Sequence, residues 1–433
     1  MSFSGMEKIR DGMNEYYAAN PHYAFDPAKP VVRLHESTYG IDEVMAATGQ
    51  LLSTWVTMGK KVKEFEAKFA GVFGSKYGMF CNSGSSSNLL MIAGLMSSQY
   101  EPKHGGPRLQ PGDEVLVPAL SWATTVWPLF QHGLVPVFVD CDLNSLNMDT
   151  AKLEAAIGPK TRAMMIIHTY GNPMDMDVVT DMCKYHNLLL IEDNCESMGA
   201  SFKGKQAGTF GVAGSMSTYF SHHITTMEGG LIVTDDYELM EAMRLQRAHG
   251  WSREADRHAE YMAKYPNIDP RFIFVDTGYN LRPTEVQAAM GLLQIDKLGQ
   301  INAARREAAA YLNSRFAEWN DLFTTVTETP GGESVWFGYC VQIKDGAGFD
   351  VRDIRSFLES KGIETRPVIA GNMTRHPVLN GRSYRMGDDM PNANKVMDCG
   401  FAIPCHHAVK GAAATYMANC IAEFVSQRAR KAA

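Results

Sequence analysis

From about residue 41 onward, short apolar runs alternate with stretches in which apolar positions recur every three or four residues. The runs VLVPA (115–119), VPVFVD (135–140), AMMIIH (163–168) and LLLIED (188–193) have almost no polar interruption. That texture predicts strands buried on both faces, because a half-exposed strand would alternate. Between them, 149–158 and 174–186 read as helices. Upstream, VKEFEAKFAGVFG sets Val62, Phe65, Phe69 and Phe73 at helical spacing and stops at Gly74. Strands and helices in alternation predict an α/β fold with a mostly parallel sheet covered on both faces.

The two ends read differently. Residues 1–40 have no clear periodicity and contain Pro21, Pro27 and Pro30, which predicts an arm with a short helix at best. A long helix runs from about Thr284 past Arg306, and after it the texture changes. GGESVWFGYCVQIKDGAGF reads as two strands around turns. DVRDIRSFLESKG reads as an amphipathic helix with Asp350 as N-cap and Gly362 just past its end. The expected division is therefore an arm (1–40), a large domain (41–305) and a smaller α+β C-terminal domain (306–433). A chain of 433 residues supports about two cores.

Composition narrows the partners. With 41 basic and 48 acidic side chains the net charge is −7, which argues against nucleic acid or a membrane surface as partner. No apolar run reaches the roughly 18 residues of a membrane span, and the charged N-terminus has no signal-peptide core, so a cytoplasmic enzyme is expected. The eight cysteines form no C-x-x-C pair, as suits buried thiols in a reducing compartment. Cys405, His406 and His407 adjoin, but no second ligand cluster accompanies them, so no metal site is expected.

Candidate chemistry gathers where strands end, the usual ligand position in such sheets. CNSGSSSNLLMIAGLM (81–96) turns through Ser and Gly into a helix; taken alone it reads first as an ordinary Ser N-cap, and its alternative is a phosphate cradle with Gly84 and Ser85 closest. Asp193 closes a very apolar strand and needs a partner, either an arginine or the protonated ring nitrogen of a cofactor. Trp122 lies just past another strand end, where it could cover an aromatic ring or join the core. STYFSHHITTMEGG (217–230) offers Ser217 and Ser221 hydroxyls, then His222 and His223. Neighbouring side chains in an extended segment diverge, so one of those histidines is expected to be structural. Taken together in this order, the four features describe a pyridoxal phosphate (PLP) site in a fold-type-I enzyme.

The motifs TMGKKVKEFEAKFA, NSGSSSNLL, PGDEVLVPALSWATT, PVFVDCD, IEDNCESMGA, GTFG, MEGGLIVTDD, RAHGW and TGYNLRPTEVQAAMG span roughly residues 50 to 300. Weaker similarity continues through WFGY and GIETRP. On these residues the chain resembles the DegT/DnrJ/EryC1/StrS sugar aminotransferase family, which has the aspartate aminotransferase-like PLP fold. In the family's aminotransferases an Asn-Lys pair stands six residues before the Glu of the EGG run, and the lysine bonds the cofactor. Here Ser221 and His222 occupy those positions. The substitution resembles the PLP-dependent sugar 3-dehydratase branch. One sub-branch holds a [2Fe–2S] cluster through cysteines after the HG motif, but GWSREADRHAEYMAKYPNIDPRF has none, so no iron–sulfur cluster is expected.

The resemblance implies a cofactor held without a covalent bond, since an imidazole cannot form a Schiff base, and cycling between PLP and pyridoxamine phosphate (PMP). It implies L-glutamate as amino donor and a nucleotide-linked 4-keto-6-deoxyhexose, GDP-4-keto-6-deoxy-D-mannose, as substrate. By the same resemblance His222 is the catalytic base, Asp193 holds the pyridine nitrogen and Trp122 stacks on the ring. Gly84, Ser85 and Ser217 take the phosphate. Glu196 is a further candidate contact to cofactor or substrate, with a structural hydrogen bond as the alternative reading. Ser221, His249 and Arg253 are candidate substrate contacts. Asn280 of GYNLRP reaches a neighbouring subunit's phosphate, which implies a homodimer with shared sites. A dehydratase for another nucleotide sugar, or a non-catalytic binding regulator that lost the lysine, are the alternative readings.

Overall fold

The computed structural model describes residues 3–20, 25–102 and 107–432. Its centre is an eight-stranded sheet. The strands are β1 (Tyr77–Cys81), β2 (Glu114–Pro118), β3 (Val135–Val139), β4 (Thr161–Ile167), β5 (Leu189–Asp193), β6 (Ala213–Ser217) and β7 (Gly230–Thr234). A second, three-stranded sheet follows, from β8 (Phe323–Thr325) and β9 (Tyr339–Ile343) to β11 (Gly400–Ile403). Between those last two strands, β10 (Arg385–Met386) returns to the large sheet. The spatial orders are β1-β7-β6-β5-β4-β2-β3-β10 and β8-β9-β11. Within the large sheet only β7 runs antiparallel to its neighbours. Strands β2 to β5 are almost wholly buried, as their unbroken apolar runs require.

Helices α1 (Phe3–Ala19), α2 (Ile41–Leu52), α3 (Lys60–Phe73), α4 (Gly84–Met96), α5 (Ala123–Gln131), α6 (Met176–Tyr185) and α7 (Tyr237–Arg247) belong to the first part of the chain. Helix α8 (Glu285–Phe316) passes through residue 305 without a break. It links the large sheet to the region of α9 (Val351–Ser360), α10 (Pro391–Cys399) and α11 (Gly411–Ala432). Asp350 caps α9 by accepting the Arg352 and Asp353 N–H groups at 2.8 and 2.9 Å. Gly74 ends α3 in the left-handed conformation, φ 69°.

Two elements depart from the sequence reading. Helix α1 is 17 residues long, not a short turn. Met6, Ile9, Met13 and Tyr17 fall on one half-buried stripe, and Arg10 pairs with Asp42 of α2 at 2.8 Å. That spacing is helical but sparse, so periodicity alone undervalues it. Pro21 lies outside the described residues. The expected helix over 149–158 is instead a single 3₁₀ turn (Thr150–Lys152) and one helical turn (Leu153–Ala156), with only Leu153 and Ala156 buried. Among the described residues no helix is long and apolar enough to cross a membrane.

Candidate active site

A cavity of about 350 Å³ opens at the carboxyl ends of β4, β5 and β6. Gly84, Ser85, Trp122, Asp193, Glu196, Ser217, Ser221 and His222 all line it. Its floor is the start of α4. The Ser83 side chain caps this helix by accepting the Ser86 N–H at 3.1 Å, so the first-turn amides face the cavity end. A side chain cannot replace Gly84: a Cβ there would lie 2.6 Å from Ser217 Cβ and 2.9 Å from Cys195 Sγ. Ser85 Oγ donates to Thr124 Oγ1 at 3.1 Å, tying the cradle to the start of α5. Trp122 stands at that start with its side chain 56% exposed, outside the hydrophobic core.

Asp193 is held rigidly for a group at the last residue of a strand. Asn88 Nδ2 and Thr125 Oγ1 each donate to its Oδ2 at 2.7 Å, and the Cys195 N–H donates to Oδ1 at 3.1 Å. No arginine or lysine pairs with it among the described residues. A buried carboxylate held by neutral donors alone is fitted to a cationic ligand.

The loop between β6 and β7 carries His222. Thr218 and Thr226 close it, with Thr226 N–H to Thr218 O and Thr218 N–H to Gly229 O, both at 2.9 Å. The His222 Nδ1 lies 2.7 Å from the Cys195 carbonyl. A carbonyl only accepts, so Nδ1 carries the hydrogen and Nε2 keeps its lone pair. Burial pushes the His222 pKa down to about 4; the Cys195 carbonyl opposes this, and Arg366 and Arg305 add to it. The imidazole is therefore neutral at physiological pH. Its ring stacks on Phe337 at 4.8 Å and 29°. His223 is fully buried and does not line the cavity. Burial holds its pKa well below the ordinary range, with Arg305 and His222 adding to the effect and the Val335 backbone opposing it.

Two arginines missed by the sequence reading organise this side. Arg305, in the middle of α8, donates through Nη1 to the carbonyls of Trp336, Phe337 and Cys405 at 3.1, 3.2 and 2.7 Å. It thereby fixes the ring on which His222 stacks. Arg366 lines the cavity with its guanidinium 5.4 and 5.3 Å from the Tyr170 and Phe337 rings. Nearby, Glu196 accepts the Tyr170 N–H at 3.0 Å. Burial raises its carboxyl to about 7, against the pull of Arg366 and that N–H, with Asp193 adding to the rise. Phe337 and Arg366 stand within WFGY and GIETRP, the motifs of weaker resemblance, but nothing local marks them as site residues.

Asn280, His249 and Arg253 lie outside this cavity. Asn280 and His249 are exposed side by side, with the His249 N–H donating to Tyr279 O at 2.7 Å. Arg253 packs over Trp251 at 5.2 Å and lines a different cleft. At residues 405–407, Cys405 is buried and His406 Nε2 donates to Arg33 O at 2.9 Å. Among the described residues no group of three metal-ligating side chains converges.

The model of the DegT/DnrJ/EryC1/StrS aminotransferase family matches residues 39–422. GDP-4-keto-6-deoxy-D-mannose 3-dehydratase of Escherichia coli O55:H7 is 40% identical over 86% of this chain and 95% of its own length. dTDP-4-dehydro-2,6-dideoxy-D-glucose 3-dehydratase of Saccharopolyspora spinosa is 34% identical over 97% of this chain and 92% of its own. The solved structure of a GDP-4-keto-6-deoxymannose-3-dehydratase with a trapped PLP–glutamate geminal diamine superposes with a TM-score of 0.81 at 38% identity, covering 89% of this chain and 99% of that one. The chain belongs to the DegT/DnrJ/EryC1/StrS aminotransferase family.

Proposed function

We propose that this chain is a PLP/PMP-dependent 3-dehydratase of a nucleotide-linked 4-keto-6-deoxyhexose, working in the cytoplasm as a homodimer. Its substrate is GDP-4-keto-6-deoxy-D-mannose and its amino donor L-glutamate, and it releases a 3-deoxy-4-keto sugar and ammonia. One observation carries the reading: the cavity is lined by a neutral histidine with Nε2 unprotonated, and by no lysine among the described residues.

The residues present fit the cofactor. Gly84, Ser85 and Ser217 would hold its phosphate at the start of α4, Asp193 its pyridine nitrogen, and Trp122 one face of its ring. When bound, the cofactor supplies an amine for the sugar's C4 ketone and an electron sink that lets the C3 hydroxyl depart. His222 does the proton work: Nε2 would take a proton from the cofactor's C4′ carbon and pass it to the C3 hydroxyl, which departs as water, while the Nδ1–H bond to Cys195 fixes the ring's aim. Because an imidazole cannot bond the cofactor's carbonyl, it leaves the amine form free to act. Arg366 is suited to a glutamate carboxylate, and Glu196, near 7, to holding a proton beside it. Asn280, and with it His249 and Arg253, would serve the neighbouring subunit's site.

A dTDP-linked substrate is the second reading, favoured by the dTDP-sugar relative that matches 97% of this chain. The test is to incubate the purified protein with PLP, L-glutamate and either keto sugar, following ammonia and product mass. Ammonia with a deoxygenated sugar is expected from the GDP substrate. An accumulating 4-amino sugar would refute dehydration, and no turnover of any keto sugar would favour a binding regulator.

A further inference from the structure

Next to the catalytic cavity lies an open recess of about 720 Å³ whose walls include Arg33, Glu36, Tyr39 and Phe220. Tyr219 and Glu228 line both spaces, so the recess continues the cavity past the loop that carries His222. The segment that carries Arg33 and Glu36 is clamped in place. Val32 exchanges backbone hydrogen bonds with Gly362 and Glu364, both at 2.9 Å, and the Leu34 N–H donates to Glu364 Oε2 at 2.9 Å. Phe220 is held edge-on to His35 at 4.4 Å.

Glu36 is the unexplained group here. Its side chain is 10% exposed, and Oε2 is buried with no hydrogen-bond donor among the described residues. Arg33 Nη1 stands 3.6 Å from the other oxygen, Oε1, too far for a hydrogen bond. Burial raises the carboxyl to about 7, against the pull of Arg33 and with Glu364 adding to the rise. A buried carboxyl oxygen without a donor is costly, and its retention calls for a partner. Glu36 also borders a cleft of about 150 Å³ on its other side, but none of that cleft's walls touches the catalytic cavity.

We infer that Glu36 is a specificity residue whose carboxyl, part of the recess wall, accepts the C2 hydroxyl of the substrate hexose. This rests on the nucleotide-sugar reading above. A hexose held with its C4 ketone over the Asp193 floor and its C3 hydroxyl at His222 has only its C2 hydroxyl left to turn outward, and the recess across Tyr219 and Glu228 opens there. A carboxylate accepting from a hydroxyl forms a strong bond and discriminates sharply against ligands that lack the donor.

The test is calorimetric titration of the PLP-loaded protein with GDP and with GDP-D-mannose, for wild type, Glu36→Ala and Glu36→Gln, with thermal melts to verify folding. The expected result is about tenfold or greater weakening of GDP-D-mannose in Glu36→Ala with GDP unaltered. Glu36→Gln, which keeps the volume and one acceptor oxygen, should fall between. With keto-sugar substrate, KM should rise by the same factor while kcat holds, a split that a folding defect would not give. Equal weakening of GDP would place the contact on the nucleotide and overturn the assignment. Unchanged GDP-D-mannose binding in a folded Glu36→Ala protein overturns it too. Wild type that binds neither probe would refute the GDP-sugar reading, and this inference with it.

Discussion

At the scale of single residues the site rests on one imidazole whose two nitrogens are already distinguished. His222→Asn removes the base and leaves the floor formed by Asp193, Gly84 and Ser217. Turnover should fall by about 10²-fold or more, while PLP absorbance on the dialysed protein persists. The same variant has a stability signature in the cofactor-free protein. His222 titrates at about 4 in the fold, against about 6.5 in the unfolded chain. The unfolded chain therefore takes up the proton first as pH falls. The stabilisation is whole above 6.5 and drains away as pH drops towards 4. Between pH 7 and pH 5, wild type should lose about 2 kcal/mol more unfolding free energy than His222→Asn. Urea titrations at both values measure it, and equal losses would mean that the ring is not buried as described.

At the scale of elements, Glu285 shows how one helix fixes another. It opens α8, is 2% exposed, and accepts the N–H groups of Gly59, Lys61 and Val62, each at 2.9 Å. Gly59 has no side chain to cap α3, so the carboxylate of a distant residue does it. Glu285→Ala should cost about 3 kcal/mol in urea unfolding, because it strands several helix-start donors, and Glu285→Gln less. No local pattern announces that contact. The strands were legible because β2 to β5 are buried on both faces and hence unbroken in apolar character. Asp193 and the turn into α4 were legible because strand ends and helix starts carry their own residue signals. Arg305, Phe337 and Arg366 were not, because they reach His222 only through tertiary packing of α8 and the C-terminal segments. Helix α1 was undervalued for a related reason: its sparse stripe gains meaning only against α2.

At the scale of the whole molecule, two residues that the family resemblance ties to cofactor or substrate, Asn280 and His249, are exposed on the surface and away from the cavity. The homodimer proposed above, in which each subunit completes the other's site, would account for that placement, and two-fold symmetry would then make each interface serve two sites. Subunit exchange tests this directly. His222→Asn disables the site in its own subunit, whereas Asn280→Asp would set a carboxylate against the phosphate in the partner's site. A mixed dimer then carries both lesions in one site and neither in the other. Mixing the two inactive proteins under conditions that allow exchange should restore about a quarter of wild-type activity, because half of the dimers are mixed and each has one intact site. If Asn280 served its own subunit, every site in the mixture would carry one lesion and no activity would return.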